Sequence, residues 1–266
     1  MKIRRIALGL GLAAALLAGP AAAQNMLDMV DLTSDAFTKA EMSRADLEAA
    51  IAKLPAGEKL DLFGKALNGL DLSKMDLRRT NLQAARLMGS NLSGANLEGV
   101  NLDSAWSLNS DWRGASLKGA SLFGTQLVGA KLDGADLSGA RVAGDFSKAS
   151  MKGAIFDGAD LSANEKNQSM GLMRGTFKNT NLDGASFKAA NLKRVLIEYS
   201  TLSGADLTGA SLVEAELAGS DFTGANVADA DFTNADLNSA RIGGLKNADK
   251  ARNFDRAKNL EKAFRN

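Results

Sequence analysis

The chain has 266 residues, 45% of them hydrophobic but only 5% aromatic, with 27 glycines, 2 prolines and a formal net charge of +1. It contains neither histidine nor cysteine, which removes imidazole bases, thiol nucleophiles, disulfides and zinc sites of the usual kind. A balance this close to neutral lacks the basic excess of a phosphate-backbone binder, yet the apolar share is too high for wholesale disorder. Met1-Lys2-Ile3-Arg4-Arg5 is a positive n-region, Ile6 to Ala18 an apolar h-region, and Gly19-Pro20-Ala21-Ala22-Ala23 an A-x-A site with cleavage before Gln24. Residues 1–23 therefore read as a signal peptide, with an uncleaved anchor as the competing reading, and the expected location is the periplasm or the secreted medium. No membrane span is expected after cleavage. Within the N-terminal segment 24–61, Ser43-Arg44-Ala45-Asp46 opens a capping helix that places Leu47, Ala50, Ile51 and Leu54 on one face and ends at Pro55-Ala56-Gly57. Residues 24 to 41 are expected to be mobile or lightly docked.

From Leu62 the periodicity is neither two nor 3.6. A large apolar residue returns every fifth position at Leu67, Leu72, Leu77, Leu82, Leu87, Leu92, Leu97 and Leu102. After Ser107 the series resumes with Trp112, Leu117, Leu122, Leu127, Leu132, Leu137 and Val142. Two positions before the centre the residue is usually Ala, Ser or Thr, the one just before it is commonly Asp or Asn, and the second after it is repeatedly Gly, as in Ala95-Asn96-Leu97-Glu98-Gly99. A five-residue period presents no common face on an α-helix, and on a flat strand it alternates sides. The pattern closes only if the backbone turns a corner in every unit, so that the centre and the small residue both point inward. The chain over Leu62 to Ile242 resembles the pentapeptide repeat family, whose consensus is Ala-(Asp/Asn)-Leu-x-x. That resemblance implies an all-β solenoid, a right-handed four-sided β-helix with four units per turn and residues twenty apart stacked; the residues at the two ends add short helical caps to this expectation.

Three irregularities stand out. Ser107 breaks the inner column, and either the indole of Trp112 fills the vacated volume or a local bulge turns Trp106 and Leu108 inward. Val142 is followed by Phe146 after four residues, and Ser162 to Met170 departs from the pattern before Leu172, Phe177 and Leu182 resume it. Counting Leu172 as a centre makes one residue lost and one regained, consistent with one continuous rod, or with a kink between two. Past Ile242, in the C-terminal cap 243–266, Phe254, Ala257, Leu260 and Phe264 fall at helical spacing, which predicts a helical lid. The competing reading is a degenerate repeat, because Asn253-Phe254-Asp255-Arg256-Ala257 and Asn259-Leu260-Glu261-Lys262-Ala263 echo one another.

Acidic residues are frequent just before the centres, as at Asp71, Asp76, Asp111, Asp136, Asp145, Asp160, Asp206, Glu216, Asp221, Asp231 and Asp236. Their spacing follows the repeat, which needs polar outward groups whatever the function, so no catalytic residue, no metal site and no cofactor is assigned. The register stacks Met88, Leu108 and Val128 on the outside, flanked by Trp106, with Phe123 on the neighbouring side. These five are the candidate interaction surface, for a protein or envelope component or for self-association. The expected function is a non-catalytic exported structural or protein-interaction module presenting a rigid β-helical surface. The resemblance offers one alternative, a DNA-mimic topoisomerase-binding protein. The signal segment and balancing cations such as Arg78, Arg113, Lys118 and Lys188 weigh against that alternative, and nucleic acid is not an expected partner.

Overall fold

The computed structural model describes residues 31–164 and 173–265. The signal-like segment 1–23 and Leu172 lie outside them. The chain divides after Leu32, and Thr33–Asn266 carries a right-handed four-sided β-helix. Its ladder is parallel and advances by twenty residues, Asp71 pairing with Asn91 and Asn91 with Asp111. Strands are short: β1 (Leu60–Asp61) pairs with β2 (Thr80–Asn81), and β3 (Thr176–Lys178) with β4 (Leu196–Glu198). Each unit otherwise contributes a single bridge before turning. The N–H of Leu72 donates to Asn91 O at 2.7 Å, and the N–H of Asn91 donates back to Leu70 O at 2.9 Å. Within a corner the small residue closes onto the centre, as Ala95 N–H does onto Leu92 O at 3.0 Å. The first side is centred on Leu62, Leu82 and Leu102, the second on Leu67, Leu87 and Ser107, the third on Leu72, Leu92 and Trp112, and the fourth on Leu77, Leu97 and Leu117. All of these are buried, together with the alanines two before them.

The second residue after most centres is left-handed. Gly134 sits at φ 66° in open space, whereas Ala84 adopts φ 55° with a side chain; only glycine does this without steric penalty. The residue just before the centre fixes the same corner from outside. Asp71 Oδ1 accepts the Ser73 N–H at 3.0 Å, Asp76 that of Arg78 at 3.2 Å, and Asn91 that of Ser93 at 3.1 Å. These are Asx turns, which is why Asp and Asn dominate the position. The carboxylates are held below their usual range by those bonds: Asp71 by Ser73, Asp76 and Asp111 by the guanidinium groups of Arg78 and Arg113. At Asp136, Asp206 and Asp231 desolvation pushes upward, but the combined bonds from Ser138, Thr208 and Thr233 and the neighbouring groups outweigh it.

Along the corner between the second and third sides the small inward residue is often hydroxylated. Ser90, Ser110, Thr180, Ser200 and Ser220 are all buried there. Ser200 Oγ donates to Phe177 O at 3.0 Å and accepts the N–H of Thr180 at 2.9 Å; Ser220 Oγ donates to Ile197 O and accepts the N–H of Ser200 at 3.1 Å. The hydroxyl of one coil thus serves the backbone of the coil before it. Three turns before Thr180 the same corner resolves the Ser107 anomaly. The Trp112 indole N–H reaches Ser110 Oγ at 2.7 Å and Ser107 Oγ at 3.2 Å, and the two hydroxyls lie 2.8 Å apart. Ser107 therefore supplies an acceptor as well as room for the ring. No bulge forms: the ladder runs in register from Arg86 through Trp106 to Gln126, so Trp106 stays outside.

The length changes differ from the one-for-one exchange expected. Arg141 pairs with Asp160, nineteen residues on, but Asp145 pairs with Thr176 and Asp160 with Asn191, thirty-one on. Phe177 stacks on Phe146 at 5.1 Å between ring centroids, and it is the next described centre after Leu161. Both changes fall on the corner between the first and second sides, one coil apart, and the other corners keep their spacing. The shortened corner lacks its left-handed residue. Gly144 fills the inward position so tightly that a Cβ there would lie 2.5 Å from Thr125 O. Stacked phenylalanines, Phe146 on Phe177 and Phe156 on Phe187, occupy the core beside it.

The ends are built differently. At the start, α1 (Asp35–Thr38) precedes α2 (Arg44–Ala52), whose capping box between Ser43 and Asp46 is formed and whose Leu47 is buried on the core. Arg79 closes the other end of α2, donating to Leu54 O, Pro55 O and Glu58 O. The predicted C-terminal helical lid is absent and the echo of the repeat prevails. Lys246, Arg252, Lys258 and Phe264 continue the ladder at six-residue spacing, with 3-10 turns at Ala248–Lys250, Phe254–Arg256 and Leu260–Lys262. Helical spacing misled because an α-helix and a six-residue coil side both return an apolar residue inward near these positions. Left-handed Asn247, Asn253 and Asn259 start the turns, and their amides bond to Asn226, Asp231 and Asp236 one coil below.

Two outcomes follow from these bonds. Ser200→Ala and Ser220→Ala each insert the residue typical of the position but leave the N–H of Thr180 or Ser200 unpaired in the core, so each lowers unfolding free energy by about 1–3 kcal/mol in denaturant titrations. The depressed carboxylates bind protons less readily folded than unfolded, so their contribution is present above the ordinary aspartate value of about 3.9 and is lost as pH falls through their lower folded values. Melting temperature should hold between about pH 5 and 8 as far as these groups are concerned and fall below about pH 4; unchanged melting below that point would contradict the assignment.

Candidate interaction surface

Of the five residues expected to form an apolar surface, Met88, Trp106, Leu108 and Val128 share the second side and Phe123 lies on the first, and they are not an open patch. Trp106 and Leu108 flank Ser107 on the second side, with Met88 and Val128 one coil either way. Leu108 is only 5% exposed, and the other four are half-buried. Phe123, on the first side, lies beneath the guanidinium of Arg141, 6.0 Å from the ring centroid. Arg141 itself donates to Asp160 O and Ser162 O and pairs with the Asp160 carboxylate at 3.1 Å.

Part of the second side carries the chain's own N-terminal arm, which is pinned and not loosely docked from Ala36 onward. Ala40 forms an antiparallel bridge with Leu67, and the Glu41 N–H donates to Ala66 O at 2.8 Å. Asn68 donates to Ala36 O and Lys39 O, and Arg86 Nε to Ala36 O at 2.8 Å. The Phe37 ring packs on Trp106 at 5.4 Å with the planes tilted by 46°. Glu41 is the clamp: its carboxylate takes the Lys65 ammonium at 2.9 Å, the Ala66 N–H and the Arg86 guanidinium. Those contacts, the Lys65 bond foremost, hold its pKa below the usual range. Sequence reading missed this because Ala36, Phe37 and Glu41 precede the array, and no repeat position announces their partners.

Higher on the same side the residues after the insertion fold back. Arg174 holds Glu216 through both guanidinium nitrogens, at 2.7 and 3.2 Å, and bonds to Arg194 O. Met173 approaches Gly124, where a Cβ would meet its methyl at 3.2 Å. Between them a hollow of about 100 Å³ is lined by Gly124, Gln126, Gly144, Asp145, Met173 and Arg174. Two exposed aromatics were not foreseen, Phe63 and Tyr199. Tyr199 is left-handed at φ 52°, 67% exposed, with its ring over Gly219, where a Cβ would come within 2.6 Å of it. Among the described residues no group of acidic side chains is arranged to hold a metal ion, and no helix is long and apolar enough to cross a membrane.

The arm makes a measurable claim. Glu41→Ala combined with Phe37→Ala should free the arm, raising proteolytic cutting before residue 43 and quenching of Trp106 fluorescence in a Trp112→Phe background, with the coil's far-ultraviolet spectrum retained.

The Pentapeptide repeats family model matches residues 67–103, 109–139 and 200–238 in eight copies. The gaps fall on Ser107 and on the coils that bear the length changes. No curated protein matches the chain. Among solved structures, the chain is similar to HetL, a pentapeptide repeat protein involved in heterocyst differentiation regulation from the cyanobacterium Nostoc sp. strain PCC 7120. Identity is 24% over 84% of this chain and 94% of that one, with a TM-score of 0.42. Full-length QnrB1, a plasmid-mediated fluoroquinolone resistance protein, shows 18% identity over 79% of this chain and 92% of that one, with a TM-score of 0.39. A pentapeptide repeat protein from the Arabidopsis thaliana thylakoid lumen shows 30% identity over 40% and 64%, with a TM-score of 0.33. With eight copies of the repeat in its sequence and a ladder that returns every twenty residues, the chain belongs to the pentapeptide repeat proteins.

Proposed function

We propose that this pentapeptide repeat protein is exported and acts without catalysis, as a rigid scaffold whose outer faces hold a protein or envelope component. The observation that carries the non-catalytic reading is the employment of its acids. Asp71, Asp76, Asp136, Asp206 and Asp231 are tied into corner bonds that favour the ionised form, the opposite of a carboxyl tuned to give or take protons near neutrality. Among the described residues the interior is packed with apolar side chains and a few hydroxyls, and the hollows beside Met173 and beside Arg194 and Glu214 open to the outer surface. Export rests on the charge, apolar run and small-residue site of residues 1–23.

The mimic reading is disfavoured by cation placement. Lys118 pairs with Asp136, Arg141 with Asp160, Lys178 with Glu198 and Lys188 with Asp206. Acidic columns so interleaved with cations do not reproduce two unbroken rows of phosphate charge. Fractionation of cells producing the full chain, with N-terminal sequencing of the product, tests the reading. Protein starting at Gln24 outside the cytoplasm is the expected result, and an intact Met1 in the cytoplasm would reject export.

A further inference from the structure

The six-residue coil at the C-terminal end has a composition unlike the rest of the rod. Its units read Lys246-Asn247-Ala248-Asp249-Lys250-Ala251, Arg252-Asn253-Phe254-Asp255-Arg256-Ala257 and Lys258-Asn259-Leu260-Glu261-Lys262-Ala263. Each begins with a cation on the ladder and places a second at the end of its 3-10 turn. Arg265 makes a seventh, against three acids, in a chain whose whole net charge is +1. All seven are exposed. Among the described residues none of them joins an ion pair, whereas cations lower on the rod commonly do.

The charges are arranged as a collar. Lys246, Arg252 and Lys258 continue the ladders of Asn226, Asp231 and Asp236, on the fourth, first and second sides. The third side receives Phe264, above Arg241 and 57% exposed. Inside the collar, Phe254 and Leu260 are only partly buried, although the centres Phe232 and Leu237 one coil below are buried, and Leu245 is likewise only partly covered. An apolar disc with an aromatic at its rim and cations around it matches a plane of anionic headgroups, into which the ring inserts while the ammonium and guanidinium groups neutralise phosphate. A nucleic acid backbone would be better served by cations in a row along one face. A second copy meeting the same end would set like charges together.

We infer that the C-terminal collar docks the rod end-on to an anionic lipid surface. This deepens the scaffold reading by naming the envelope component, and it rests on that reading only for the compartment; lipid binding by the purified protein does not depend on where the cell sends it. The test is cosedimentation of the purified chain with vesicles of phosphatidylglycerol and phosphatidylcholine, against phosphatidylcholine alone. Binding is expected only to the anionic vesicles, and should be lost on raising salt from about 0.1 to about 0.5 M. The triple variant Arg252→Glu, Lys258→Glu, Lys262→Glu should lose at least about tenfold in partitioning. Phe264→Ser should weaken it without altering the salt dependence. A matched reversal at exposed positions elsewhere, Lys53→Glu, Lys59→Glu and Lys152→Glu, should leave most of the binding intact, and far-ultraviolet spectra establish that the variants keep the coil. Absence of binding to anionic vesicles, or equal loss in both triple variants, overturns the inference. Retention on duplex DNA without vesicle binding, or a doubled solution mass abolished by the collar substitutions, reassigns the collar and overturns it as well.

Discussion

Every coil of this protein depends on backbone hydrogen bonds made to the coils twenty residues before and after it. A unit contributes about one bridge residue per side, far too little for an independent strand, and a lone coil could not hide its apolar centres. Stability is therefore a nearest-neighbour property, and any departure from the twenty-residue advance must be absorbed locally or it would throw each later side chain off its column. The structure absorbs its two departures at one corner, so the ladder from Thr176 to Arg241 runs on as if nothing had intervened.

The same constraint explains where polar atoms sit in the interior. A buried donor without a partner is destabilising, and the described buried side chains have none unmet. Serine and threonine replace alanine on one corner column because the turns after Phe177 and Ile197 leave an N–H that needs an oxygen. Trp112 is tolerated in a column of leucines because Ser107 and Ser110 receive its indole N–H. Outside, Asp and Asn hold many of the corners, and cations of the same unit or of the adjacent coil neutralise many of those acids.

Much of the coil was legible because its period leaves few ways to bury Leu97, Leu117 and Leu137 together, and these are indeed fully buried. Ser107 was visible as an anomaly, but its role required knowing which way the Trp112 nitrogen points. The size of the insertion was misjudged because counting in fives fixes a residue's phase but not how much chain separates two coils. The C-terminal lid was misread because Phe254, Leu260 and Phe264 suit two geometries, and the left-handed asparagines that decide between them carry no apolar signal. Met88, Leu108 and Val128 do stack one coil apart, but their cover was not legible, since the arm that packs on Trp106 comes from outside the repeat and is held by Glu41 and Arg86.

The corner between the first and second sides is short after Val142 and long after Leu161, while the three remaining corners of those coils are undisturbed. Length there is uncoupled from register everywhere else. A lineage could splice foreign sequence into that position, enlarge it or trim it away, and the scaffold would carry each version without redesign of its columns, in the manner of a framework that displays interchangeable loops.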